Sequence, residues 1–482
     1  MIERLRADIE RLREAASPLE PDSEGRRELG TMVLDHALGF LDHVEDAPSL
    51  RPASEAFAER LEPEFSEEGR GAATVLDYVG SCIERPGITT TSPRFMGYIP
   101  GGGLFHSALG DMLAAASNKY SGFAPAAPGA VRIENACTQW LAGVIGYPSE
   151  SAGTLTSGGS MANLTAIVAA REARDPEGGG AVYLTRFAHH CIDKALHIAG
   201  RAHSPRRLIA TDDHYRMSVE ALEQALEEDA RQSIRPWLVV ASAGTVDTGS
   251  VDSLADIADL CRRHGAWFHV DGAYGGLFAL CDQGRKLLRG IEQADSVALD
   301  PHKTLFLPYG TGAALVRDGQ QLLGAFSASA EYIRPFSETD VGPSPADLSP
   351  ELTRHFRALR LWLPLQIAGV GAFRAAQAEK LALARYFHAR LSAIDGFDPG
   401  PAPDLSVVAF RYLPKSGDAD EFNERLIRHV QQEGRVMLSG TRIDGRFYLR
   451  CAILCFRTHL EHVDEAIDAV RRGVEACEDA VP

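Results

Sequence analysis

WFHVDGAYGG at residues 267–276 and SVALDPHKTLF at 296–306 decide the fold between them. Each opens as a near-continuous apolar run, which is how a buried strand of a parallel sheet reads. Asp271 closes the first run, and Asp300 leads to Lys303 at the close of the second. Open α/β sheets bind ligands at the carboxyl ends of their strands. The two runs therefore set a carboxylate and a lysine at one sheet edge. Asp271 and Lys303 lie 32 residues apart, which is room for a loop and a helix between neighbouring strands. The pair alone also fits a solvated loop lysine, so it needs further support.

That support lies upstream, in GTLTSGGSMANLTAIVAAREAR at 153–174. Gly158 and Gly159 follow a β-prone stretch, and Ser160 opens a segment with Met161, Leu164, Ile167 and Val168 at helical spacing. Glycines let backbone approach a phosphate, and a helix start offers unpaired N–H groups and a positive dipole end. An ordinary capped helix reads the same way. Neither a Walker A loop nor a dinucleotide fingerprint is present.

RFAHHCIDKALHIAG at 186–200 carries His189, His190 and Cys191. Adjacent side chains rarely converge on one ion, and no C-x-x-C or H-E-x-x-H spacing accompanies them, so no metal site is expected. One imidazole stacked on a flat ring is the better reading, with a plain surface pair as the alternative. Taken together, a lysine amine, a carboxylate and an anion cradle suit pyridoxal 5'-phosphate. Its aldehyde forms a Schiff base with lysine, and a carboxylate holds its pyridine nitrogen protonated.

Taken in order, PRFMGY at 93–98, TSGGSMANL, AHHCIDKA, VVASAGTVDTGSVD, WFHVDGAYGG, DPHK, TRHFRALRLW at 353–362 and FYLRCAILCFRT at 447–458 resemble the group II pyridoxal-phosphate-dependent decarboxylases. That family includes aromatic-L-amino-acid and glutamate decarboxylases. The resemblance runs from about residue 90 to the end. It implies Lys303 as the cofactor anchor, Asp271 on the pyridine nitrogen, Ala273 beneath the ring and His189 above it. It puts Gly159, Ser160 and His302 on the phosphate, and Thr245 near the ring hydroxyl or His189. Tyr98, Ile99 and Tyr120 would wall the substrate pocket. Arg354 would meet the substrate carboxylate or its surroundings, unless it forms a helix-end salt bridge. Tyr332 would protonate Cα from a long Ser-, Pro- and Gly-rich loop within 324–350.

The chain departs from the family pattern mainly around the substrate. Thr304 stands where many relatives have tryptophan, and Ile99 where an aromatic is common. Val246 interrupts a run of threonines, and SNKYSGFAPAAPG at 117–129 differs in length and composition. Asp300 replaces the asparagine of some members and would set a negative charge near a phosphate unless turned away or paired.

Composition agrees. A net charge of −17 argues against nucleic-acid or anionic-membrane partners. The eight cysteines are scattered, as expected of reduced thiols in a cytoplasmic protein. No signal-peptide pattern opens the chain and no apolar run reaches the ~20 residues of a spanning helix. Three parts are expected. Residues 1–104 form a helical segment, with Ile2, Leu5, Ile9 and Leu12 on one stripe and Met32, Leu34 and Leu38 in a second helix. Residues 105–359 alternate strand and helix as a cofactor domain, and 360–482 form a small α/β domain. The reading is a fold-type I α/β enzyme, a mainly parallel sheet with helices on both faces. The resemblance adds homodimerisation through the N-terminal arm and decarboxylation of an L-amino acid, aromatic favoured, to its amine. An aldehyde synthase or an acidic or basic amino-acid decarboxylase of the same family is the alternative. An aminotransferase, a carbon–carbon lyase or an inactive homologue is more distant.

Overall fold

The computed structural model describes residues 1–52, 65, 67–327 and 342–479. A short antiparallel pair, β1 (Leu50–Arg51) and β2 (Gly87–Ile88), precedes the main sheet. The main sheet has seven strands: β3 (Ala152–Thr156), β4 (Ala181–Thr185), β5 (Arg206–Ile209), β6 (Pro236–Ser242), β7 (Trp267–Gly272), β8 (Ser296–Leu299) and β9 (Gly312–Val316). Their spatial order is β3-β9-β8-β7-β6-β4-β5. Strands β8, β7, β6, β4 and β5 pair in parallel, and β9 runs antiparallel to both its neighbours. A four-stranded antiparallel sheet follows in the order β10 (Phe397–Asp398), β11 (Val407–Tyr412), β13 (Arg446–Ala452), β12 (Ser439–Ile443).

The near-continuous apolar strands are explained by burial on both faces. Along β6, Val239 and Ala241 enter one core while Leu238 and Val240 enter the other. The first core takes Leu141, Leu226 and Ile257 from helices Pro128–Ile145, Val219–Arg231 and Leu254–His264. The second takes Ile167 and Leu196 from helices Gly159–Arg174 and Cys191–Ile198.

Two local expectations shift. Helix Gly159–Arg174 buries Ala162, Ala166, Ile167, Ala169 and Ala170, whereas Met161, Leu164 and Val168 are only half-buried. Small residues bring this helix close to the sheet, so alanine marks the inner face better than bulk does. The long helical stretch around residue 368 is two helices, Ala358–Ala368 and Val370–Ser392, split at Gly369 with φ of 74°.

Candidate active site

Strands β3, β4, β6, β7 and β8 all deliver their carboxyl ends to one cavity of about 300 Å³. Beyond β3, Gly158, Gly159 and Ser160 form its floor; beyond β4 come Phe187, His189 and Cys191. Gly244 and Thr245 follow β6, Asp271 and Ala273 close β7, and Asp300, His302 and Lys303 follow β8. Parallel register places Ser242 beside Asp271 and Asp271 beside Ala298, which aligns these ends. The sheet thus brings Asp271, Lys303, His189, Gly159, Ser160, Thr245, Ala273 and His302 together.

The floor is shaped for an anion. Gly158 adopts φ of 151°, a backbone state that favours glycine, and caps helix Gly159–Arg174 with no side-chain bond. Its carbonyl accepts from Met161 and Ala162, so the N–H groups of Gly159 and Ser160 open the helix at the cavity. A Cβ on Gly159 would stand 2.7 Å from Asp300 Oδ2 and 3.1 Å from the Ala273 Cβ. Only hydrogen fits there.

Lys303 Nζ lies 2.8 Å from Asp300 Oδ2. Burial opposes the charge on Lys303, but the Asp300 carboxylate outweighs it and lifts the amine above its usual range. Asp300 Oδ1 is buried without a partner. Burial also lowers His302, whose Nδ1 bonds the Thr311 carbonyl at 2.7 Å. His189 is lowered by burial against the pull of Asp271. Its Nδ1 accepts from the Cys191 backbone N–H at 3.3 Å. The Thr245 hydroxyl meets Thr248 at 2.6 Å, and Thr248 meets Ser250 at 2.8 Å.

A second layer went unread in the sequence. Trp267 Nε1 donates to Ser296 Oγ at 2.8 Å, and Ser296 Oγ meets His269 Nδ1 at 2.8 Å. His269 Nε2 meets Asn163 Oδ1 at 2.7 Å, and Asn163 Nδ2 donates to Cys191 Sγ at 3.4 Å. An amide oxygen only accepts, so Nε2 carries the imidazole proton and every bond in the chain has one direction. Burial drives His269 down to about 4, which keeps it neutral. The chain fastens the cradle helix and the His189 segment to the strand bearing Asp271. The one available signal was period two, which puts Trp267 and His269 on the same side of β7 as Asp271.

Arg354 is placed apart from these residues. It does not line the cavity; its guanidinium is fully buried against Glu134 at 2.7 Å, Thr154 Oγ1 at 2.9 Å and the Leu155 carbonyl. Its two terminal nitrogens bond inside the core, which is the arrangement of the salt-bridge alternative. Tyr98, Ile99 and Tyr120 also stand away from the cavity walls of this chain. Tyr98 is 56% exposed at φ of 50°, with its backbone held by Ser439 and Arg450 of the small sheet. Ile99 packs on the main core and Tyr120 is exposed. Tyr332 lies outside the described residues. Among the described residues, no three His, Cys, Asp or Glu side chains are placed to hold a metal ion.

An amine, an anion cradle and a carboxylate around a space of this size fit a flat aldehyde phosphate, and the class they define is that of the pyridoxal-phosphate enzymes. The pyridoxal-dependent decarboxylase conserved domain matches residues 55–413. The chain belongs to that family. It is 34% identical over 455 residues to an aromatic-L-amino-acid decarboxylase of Bacillus atrophaeus, covering 92% of this chain and 94% of that protein. A phenylacetaldehyde synthase of Arabidopsis thaliana is 28% identical over 465 residues, covering 92% and 95%. The crystal structure of Oryza sativa TDC with PLP and tryptamine superposes with a TM-score of 0.88 at 25% identity, covering 95% of this chain and 99% of that one. The chain is accordingly a pyridoxal-phosphate-dependent amino-acid decarboxylase in kind.

Proposed function

We propose that the chain decarboxylates an aromatic L-amino acid to its amine and carbon dioxide. The convergence of Lys303, Asp271 and the Gly159–Ser160 cradle in one cavity carries the reading. The relatives named above support the aromatic preference. When bound, pyridoxal phosphate supplies the sink for the electron pair left when the Cα–carboxylate bond breaks. Gly159, Ser160 and His302 would hold its phosphate, and Asp271 would hold its ring nitrogen charged. Ala273 beneath and His189 above would clamp the ring. Lys303 would anchor the aldehyde, and Thr245 would sit beside the ring hydroxyl or His189.

Two further assignments belong to this reading. The three parts 1–104, 105–359 and 360–482 act as arm, cofactor domain and small domain, and the arm pairs two copies of the chain. All eight cysteines are buried and none is disulfide-bonded, which suits a reducing, cytoplasmic setting. No helix among the described residues is long and apolar enough to cross a membrane.

The aldehyde-synthase alternative is favoured by the phenylacetaldehyde synthase likeness and turns on Tyr332. A phenol there would deliver the proton to Cα. Without it, oxygen would compete and give aldehyde, ammonia and peroxide. Aromatic, acidic and basic amino acids, incubated with the purified enzyme in air and under nitrogen, should give amine and carbon dioxide from the aromatic ones. Tyr332→Phe should divert product to aldehyde in air. Aldehyde as the main wild-type product would establish the synthase instead, and turnover of acidic or basic substrates alone would overturn the aromatic preference.

A further inference from the structure

We infer that Asn163 and His269 are positioning residues for His189. Their relay seats Cys191, whose backbone N–H holds the His189 ring in one tautomer, with its proton on Nε2. This rests on the reading above, in which His189 faces the bound ring.

Among the described residues, the hydrogen bond to the His189 ring comes from the Cys191 N–H to Nδ1 at 3.3 Å. A nitrogen that accepts an N–H carries no proton, so the ring is neutral and Nε2 is the donor. Burial lowers the His189 pKa and acts in the same direction. The ring lines the cavity, so the nitrogen that carries the proton decides what it offers an occupant.

Cys191 opens helix Cys191–Ile198, and its N–H is one of the first-turn donors that a helix leaves unpaired. Where that N–H points depends on how the helix start is seated. The Cys191 Sγ accepts from Asn163 Nδ2 at 3.4 Å, and Asn163 Oδ1 meets His269 Nε2 at 2.7 Å. Asn163 is fully buried on the alanine face of helix Gly159–Arg174, beside Ala162 and Ala166. Packing alone asks for no amide there, and a buried amide is costly unless its ends are paired. Both ends are paired here, one to the strand bearing Asp271 and one to the start of the His189 helix. Behind them Ser296 and Trp267 are fully buried too. The indole only donates, so the Ser296 hydroxyl turns its proton to His269 Nδ1. His269 itself does not line the cavity and acts only through Asn163.

The test follows the His189 ring by nitrogen NMR in cofactor-loaded protein carrying isotope-labelled histidine, with His189→Gln identifying the signal by its loss. Wild-type protein should show the Nε2–H form alone. Asn163→Ala should add the Nδ1–H form and lower kcat ~10–100-fold, the scale of a misplaced group, with the cofactor's visible absorbance kept. Cys191→Ala, which removes only the thiol the amide holds, must move the ring signal the same way. His269→Gln can still accept from Ser296 and donate to Asn163, so it should keep the wild-type signal. Ile167→Ala, on the same helix, should lower Tm through packing and leave the ring signal alone. An unchanged signal in Asn163→Ala and Cys191→Ala would overturn the inference. So would the Nδ1–H form in the wild-type protein, or the same mixture in Ile167→Ala. An unchanged kcat in His189→Gln would remove His189 from the reaction, and the inference with it.

Discussion

Asp271 and Lys303 illustrate how one residue's neighbours set its chemistry. Asp271 is buried at the end of β7, with Oδ1 accepting from the Ala273 backbone N–H at 3.2 Å. Its backbone is pinned between β6 and β8, so the carboxylate has little freedom to turn away. Asp271→Asn keeps that shape and removes the charge that would hold a pyridine nitrogen protonated. The expected result is a fall in kcat of at least ~100-fold, equivalent to ~2.7 kcal/mol in the barrier, with cofactor still bound by absorbance. Single-turnover rates at saturating cofactor check this, and equal rates in the two proteins would make Asp271 structural. Asp271 and Lys303 were legible because each follows an apolar run, although the pair needed the glycine turn and the ordered motifs beside it to read as a site. Asp300 gave a weaker signal, since the i, i+3 spacing that joins it to Lys303 needs a helical turn to matter. That turn, Pro301–Thr304, is too short to announce itself in the pattern.

At the scale of elements, β3 and the helices beside it separate structural charge from functional charge. Arg354, Glu134, Arg357 and Glu351 form a group behind β3, with Glu134 and Arg354 almost wholly buried. Burial raises Glu134 and lowers Arg354, each opposed by the other's charge, as befits a pair taken out of water together. Removing one member strands the other. Arg354→Met should therefore cost ~3–5 kcal/mol of stability, seen as a large drop in Tm, while Glu134→Gln with Arg354→Met should recover much of it. Neither change should raise KM selectively in protein that remains folded. An Arg354→Met enzyme with unchanged Tm and a raised KM would return Arg354 to the substrate. The sequence placed Arg354 by motif and could not say which way its side chain faced. That depends on β3 lying at the sheet edge beside antiparallel β9, a pairing no local period records. The strands ending in Asp271 and Asp300 were legible because burial on both faces demands apolar residues throughout. The inner face of helix Gly159–Arg174 was misread because close packing there selects alanine.

At the scale of the whole molecule, two consecutive helices leave apolar surface uncovered. Helix Ile2–Ala15 buries none of its residues, and Ile2, Leu5, Ile9 and Leu12 are each more than half exposed. Helix Ser23–Asp42 likewise exposes Leu29, Met32, Val33, Leu34 and Leu38. Stripes of this kind on consecutive helices mark a contact surface. Tyr98 and Tyr120 are exposed too, although the resemblance puts them on a substrate wall. One proposal accounts for both facts: a second copy covers the stripes and receives these tyrosines at its own cavity. Each Leu or Ile side chain so buried contributes ~1.5–3 kcal/mol, enough for four to hold a dimer. Leu5→Glu with Ile9→Glu should then shift sedimentation from dimer to monomer at micromolar concentration. The monomer should keep the cofactor's visible absorbance, because the cavity lies within one chain, yet lose most turnover for want of its substrate walls. A wild-type protein sedimenting as a monomer with full activity would sink the proposal. A charged variant that stays dimeric would move the contact surface off this helix.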